Sequence, residues 1–212
     1  MDDFNKILAE VKNIYSNIHG SHGWEHTERV YNLSLHIGKI EEANLEVLKY
    51  AALLHDIGRN EQDKSMGRLC HAEIGAKQAR KLLNRYKITE ELIEKIVHCI
   101  ATHRYRGENI PLSLEAKILY DADKLDAIGA IGIGRAFVFS GEIGAKVHLK
   151  DIKIENTKSY SENDTAYREY LVKLRNIKNK LLTEEGKRLG EGRHRFMLEF
   201  FDRINKEVAG RL

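Results

Sequence analysis

In three separated stretches the chain sets a histidine or an aspartate into rows of apolar residues that otherwise recur every three or four positions. Such a row is one face of an amphipathic helix turned toward a core. Around His26 it runs His26, Val30, Leu33, Ile37. In the second stretch it runs Asn44, Leu48, Ala51, His55, with Asp56 about 100° further round the helix and the turn closing at Gly58. The third gives Ala116, Leu119, Asp123, Ala127, Ala130, with Asp126 one turn on and expected to support Asp123. An unpaired carboxylate in a core costs several kcal/mol or takes up a proton, so an inward aspartate needs a partner that stays with it.

A divalent cation is such a partner. Imidazole nitrogen with carboxylate oxygen is a borderline donor set that suits manganese, iron, cobalt, nickel or zinc, and magnesium where waters are retained. A lone histidine on an apolar face is more often a hydrogen-bonded core residue, and a lone aspartate more often pairs with a neighbour such as Lys124. Recurrence of the anomaly in three helices favours a shared ion. His71 heads the row His71, Ile74, Gly75, Gln78, Leu82, and His103 ends the row Ile93, Ile96, Ile100, His103, so both are predicted to reach the same interior, on a second ion or against substrate. His98 lies off its row, and His19, His22, His36, His148 and His194 do not cluster.

Long three-four patterns and a single proline, Pro111, among 212 residues predict an all-α chain. Helices are expected over 3–18, 24–37, 43–57, 71–86, 89–103, 112–128, 129–139, 165–182 and 183–208. The glycines of 129–139 are expected to permit close helix packing. The stretch 140–163 is irregular, and its alternation of Val147, Leu149, Ile152 and Ile154 with charged residues suits a short strand pair or a flap. With 42% hydrophobic content and no linker composition, one domain is expected over 1–212, with a core of about 18–139 and C-terminal helices 165–208 packed on it. Cys70 and Cys99 have no CxxC partner and read as reduced thiols, and no leader or membrane-spanning run is visible, which together predict a cytoplasmic protein.

The order His, then His-Asp, then a distant Asp resembles the HD superfamily of metal-dependent phosphohydrolases. The fragments WEHTERV, ALLHDIGR, HAEIGA and DADKLDAIGAIGIGRAF are similar to a bacterial and archaeal branch of it, as is the tail piece from Glu191 to Met197. The resemblance implies an HD-domain helical bundle and metal ligation by His26, His55, Asp56 and Asp123. HAEIGA and THRYRG resemble the extra histidines of two-metal HD proteins, which keeps His71 and His103 as candidates. Gly23 and Gly192 depart from the branch's pattern, which has an aspartate and a charged residue there; neither touches the four ligands.

These ligands predict hydrolysis. Water on a divalent ion becomes acidic enough to supply hydroxide to phosphorus, with Asp56, Asp123, His71 or His103 taking the proton. Arg29 and Lys124, with Arg59 and Arg135 as additions, are expected to hold phosphate oxygens. The net charge of +3 comes from 35 basic and 32 acidic residues that are interleaved, which suits a small anionic phosphorylated substrate and does not call for nucleic acid. The resemblance points to nucleotides. The alternatives are a nucleotide-sensing module without turnover and a di-iron HD-fold oxygenase. The apolar tail helix with Phe196, Met197, Phe200 and Phe201 is expected to pack on the core, a homodimer surface being the alternative.

Overall fold

Helices begin where a side chain can satisfy their first amides. Asn44 Oδ1 accepts from Glu46 N and Val47 N at 3.0 and 3.2 Å, and Thr89, Thr165 and Thr183 cap the later helices in the same way. The computed structural model describes residues 2–15, 23–65, 68–105, 109–151 and 153–212. Their regular structure is helical, with no strand among the described residues, so the all-α expectation holds. By contacts the chain divides into two units, Met1–Asp123 and Lys124–Leu212.

The first unit holds α1 (Asp3–Tyr15), α2 (Trp24–Ile40), α3 (Leu45–Leu54), α4 (Arg59–Lys64), α5 (His71–Leu83), α6 (Glu90–Thr102) and α7 (Leu114–Asp126) as far as Asp123. α3 is apolar nearly all round: Val47, Leu48, Ala51, Ala52, Leu53 and Leu54 are all buried. A helix of that kind belongs at the centre of a bundle, and α3 packs against α1, α2 and α6 while α5 pairs with α6. The core these helices close includes Ile7, Val30, Leu83, Ile93, Ile96 and Leu119, and each fully buried aliphatic side chain of this size contributes about 1.5–3 kcal/mol.

The second unit holds the end of α7, α8 (Gly129–Glu142), α9 (Ala166–Val172) and α10 (Glu184–Val208), with 3-10 turns at Ile154–Asn156 and Leu174–Lys180. α10 packs against α8 and the second 3-10 segment, burying Met197 and Phe201, and Tyr170 stacks on Phe201 at 4.4 Å. Buried Arg168 is paired with Asp164 at 2.7 Å and donates to Thr157 Oγ1 at 2.6 Å.

Three expectations need correction. The helix expected over 165–182 breaks at Lys173. The apolar spacing of three through Leu171, Leu174 and Ile177 matches the three residues per turn of the 3-10 segment that follows. Over 140–163 the strand-pair alternative fails among the described residues, while the expected irregularity holds. Val147 is exposed and Leu149 and Ile154 only half-buried, so the alternation has no covered face, and one bond, Lys146 N to Glu162 O at 2.8 Å, stands where a ladder would be. Within 129–139 only Gly129 (φ +79°) meets another helix, at Arg193; Gly132 abuts Ala127 O, and Gly134 meets nothing within 4 Å. The start of the core at residue 18, the end of the first helix beyond Tyr15, His19, His22, Ile152, and Arg106 and Gly107 of THRYRG lie outside the described residues.

Candidate metal centre

Helix α3 ends in a right-handed cap at His55, and the turn Asp56-Ile57-Gly58 leads directly into α4. A Cβ at Gly58 would lie 2.5 Å from His71 O and 2.6 Å from Gly75 N. A glycine there lets α5 approach closely enough for its first residue, His71, to face Asp56. His26 comes from α2, His103 from the end of α6 and Asp123 from α7.

The ring nitrogens show how these groups are wired. His55 Nδ1 donates to Ala52 O at 2.8 Å, His103 Nδ1 to Ile100 O at 2.7 Å, and His71 Nδ1 to Gln62 Oε1 at 2.8 Å. Oxygens of this type only accept, so Nδ1 carries the hydrogen in all three rings and Nε2 carries a lone pair. Those lone pairs converge. His71 Nε2 lies 3.1 Å from His103 Nε2, and His55 Nε2 lies 3.3 Å from His26 Nε2. With no hydrogen on Nε2 of His71 or His103, the approach of those two is repulsive unless a cation lies within reach of both.

The carboxylates complete two groups. Asp123 Oδ1 is 3.5 Å from His26 Nε2, making one group of His26, His55 and Asp123. Asp56 Oδ1 is 3.0 Å from His71 Nε2 and 3.6 Å from His103 Nε2, making the other. The second oxygen of Asp56 turns toward the first group, 3.8 Å from His26 Nε2 and 3.9 Å from His55 Nε2, while accepting from Arg59 at 3.0 Å. Ion-to-donor bonds of about 2.0–2.2 Å set neighbouring donors about 3–3.5 Å apart, so most of these separations suit shared ions. Asp56 Oδ1 is sealed from solvent and has no hydrogen-bond donor, as expected of an atom suited to a cation.

Electrostatics agree with this geometry. Burial pushes the imidazoles of His55 and His71 down to about 4, so both are neutral and able to ligate at neutral pH. Burial alone would raise the Asp56 carboxyl, yet it is held well below its usual range, with Arg59 the permanent positive charge beside it. The site is sealed on most sides: the side chains of His26, His55 and Asp56 are at most 1% exposed, whereas that of Asp123 is 20% exposed and marks the open side.

All six sequence-predicted donors are therefore brought together. Arg29 is half-buried on α2 one turn beyond His26, and Lys124 is half-buried in the residue after Asp123. Arg59 is held on Asp56. Arg135, expected at phosphate, donates to buried Asp126 at 2.5 Å. His98 Nε2 accepts from Leu112 N at 3.2 Å, and His148 is paired with Asn205. Gln62 and Arg104, which touch this machinery, had no periodicity to mark them, because α4 (RNEQDK) is polar throughout and Arg104 lies past the end of α6.

Residues 23–128 match the HD domain family. The chain is 32% identical over 209 residues to the uncharacterised protein YpgQ of Bacillus subtilis, covering 97% of this chain and 93% of that one. A crystal structure of YpgQ in complex with ADP superposes with a TM-score of 0.73 at 29% identity, covering 96% of this chain and 94% of that one. An HD-superfamily hydrolase from Bacillus thuringiensis gives a TM-score of 0.76 at 28% identity, covering 97% and 96%.

Proposed function

Because this chain belongs to the HD domain family, we propose that it is a metal-dependent phosphohydrolase acting on a nucleotide, with its ions held by His26, His55, Asp56 and Asp123 and, at a second position, by Asp56, His71 and His103. The observation that carries this reading is Asp56, whose two oxygens face two sets of imidazole nitrogens while one of them has no hydrogen to accept. When bound, a divalent ion at such a site acidifies water and draws charge from a phosphate oxygen.

The chain's own groups do the rest. Arg59 fixes one oxygen of Asp56 and contributes to holding the carboxyl low, which makes Asp56 a poor proton acceptor. Asp123, the most open donor, lies where substrate arrives and takes the proton from water. Arg29 and Lys124 supply positive charge for the phosphate oxygens that do not react. A nucleotide substrate is supported by the ADP complex of the related YpgQ, and the mildly basic net charge accords with an anionic ligand.

The test is a nucleotide panel assayed for phosphate and pyrophosphate with manganese, cobalt, nickel, zinc, iron or magnesium. Release is expected with at least one pair, and His55→Ala and Asp56→Ala should each lower it by about 10³-fold or more, the loss of about 4 kcal/mol of transition-state stabilisation. Tight nucleotide binding with no release under any ion would point to a sensor. Iron-dependent oxygen uptake would point to an oxygenase.

A further inference from the structure

We infer that Gln62 and Arg104 are positioning residues that select the only tautomer of His71 able to hold a metal, an inference that rests on the reading of Asp56, His71 and His103 as an ion site. A guanidinium carries hydrogen on every nitrogen and accepts nothing. The amide atom of Gln62 that lies 3.0 Å from Arg104 Nη1 is therefore oxygen on chemical grounds alone. The same atom lies 2.8 Å from His71 Nδ1 and 3.4 Å from the backbone N–H of His71, a second obligatory donor. Facing an oxygen, Nδ1 must carry the ring hydrogen. Nε2 is left with its lone pair, 3.0 Å from Asp56 Oδ1 and 3.1 Å from His103 Nε2.

His55 and His103 need no such device. Their Nδ1–H groups donate to backbone carbonyls of their own helices, Ala52 and Ile100, which cannot turn over. A glutamine amide can. Rotated by half a turn, it would offer –NH₂ to His71, whose Nδ1 would then accept and whose Nε2 would carry the hydrogen into the site, cancelling one ligand. Arg104 blocks the rotated form by placing a donor where that –NH₂ would go. Its own guanidinium is steadied by Cys70 Sγ at 3.5 Å. The control of this ligand therefore runs from Arg104 through Gln62 to His71, across α4 and α5, and none of the three contacts is with an ion.

Two readouts test it: manganese affinity and stoichiometry by titration calorimetry, and the tautomer of His71 by ¹⁵N NMR of the imidazole in chelator-treated protein. Arg104→Met and Gln62→Leu should each weaken binding at the second position about 10–100-fold, the usual effect of losing a partner that orients a ligand, and Arg104→Met should shift His71 toward Nε2–H. Gln62→Glu offers oxygens only and should keep the wild-type affinity. It should also rescue Arg104→Met in the double variant, an outcome that lost packing alone would not give. Unchanged tautomer and unchanged manganese binding in Arg104→Met would overturn the inference, as would failure of the double variant to recover. If the wild-type protein bound no divalent ion, the parent reading would fall, whereas the NMR comparison would still decide whether Arg104 governs the tautomer.

Discussion

An imidazole that is to hold a cation must be free of its proton at working pH, and the fold arranges this for His55 and His71 by burying them. Their pKa values of about 4 lie below the ordinary histidine value of about 6.5. Below pH 6.5 the unfolded chain takes up protons that the folded chain refuses, so the stability of the ion-free protein falls as pH drops from about 6.5 toward 4 and levels off for these two groups below that. Asp56, held low, adds its own loss at still lower pH. Urea unfolding of chelator-treated protein should show its midpoint decreasing steadily between pH 7 and pH 4.5, and a flat midpoint over that interval would contradict the neutral, buried state of these rings. Five of the donors were legible in the sequence because each stands in a row of apolar residues, and Asp56 because it lies beside His55; His26 follows the same period as Val30 and Ile37, which are fully buried. Gln62 and Arg104 were not, since periodicity reports which side of a helix faces inward and says nothing of a polar residue whose work is one hydrogen bond.

At the scale of elements, the site depends on how closely α5 approaches the turn after α3. That approach is set by Gly58, where a methyl group would press within 2.5–2.6 Å of backbone atoms of His71 and Gly75. Backbone cannot swing aside as a side chain can, so Gly58→Ala should move α5, cost about 1–3 kcal/mol, the usual penalty for overpacking, and weaken ion binding through His71. Gly75, on the other side of the same contact, has 3.4–3.5 Å to its nearest neighbours, which is ordinary contact. Gly75→Ala should therefore be neutral or stabilising by up to about 1 kcal/mol, since alanine is the better helix former. Thermal melts of the two variants side by side would check this, and equal effects would remove Gly58 from its assigned role. The long helices were legible to within a few residues because their apolar rows and caps are local signals. The short α4 was missed for the opposite reason: it has no apolar face, and its Arg59 and Gln62 are engaged with Asp56 and His71.

At the scale of the whole chain, the boundary between the two units falls between Asp123 and Lys124, inside α7, where no proline, glycine or polar linker marks it. Sequence composition therefore carries no sign of it. All six donors belong to the first unit, and they come from five places separated by up to 97 residues, 26 to 123. An ion held by them joins distant segments that the unfolded chain does not keep together, so its binding energy stabilises the native state directly. At 100 times the dissociation constant the gain is about 2.7 kcal/mol for one site, which for a chain of this size corresponds to a rise in Tm of roughly 5–10 °C. The chain's single tryptophan, Trp24, lies two residues before His26, against Tyr15 at a ring separation of 6.3 Å, and so reports on the first unit. Trp24 fluorescence should show the melting midpoint climbing with added manganese and falling back with chelator. Its response should shrink in His26→Ala and His71→Ala and vanish in Asp56→Ala, the residue common to both groups. A midpoint indifferent to every divalent ion would leave the convergence of Nε2 lone pairs without the partner that explains it.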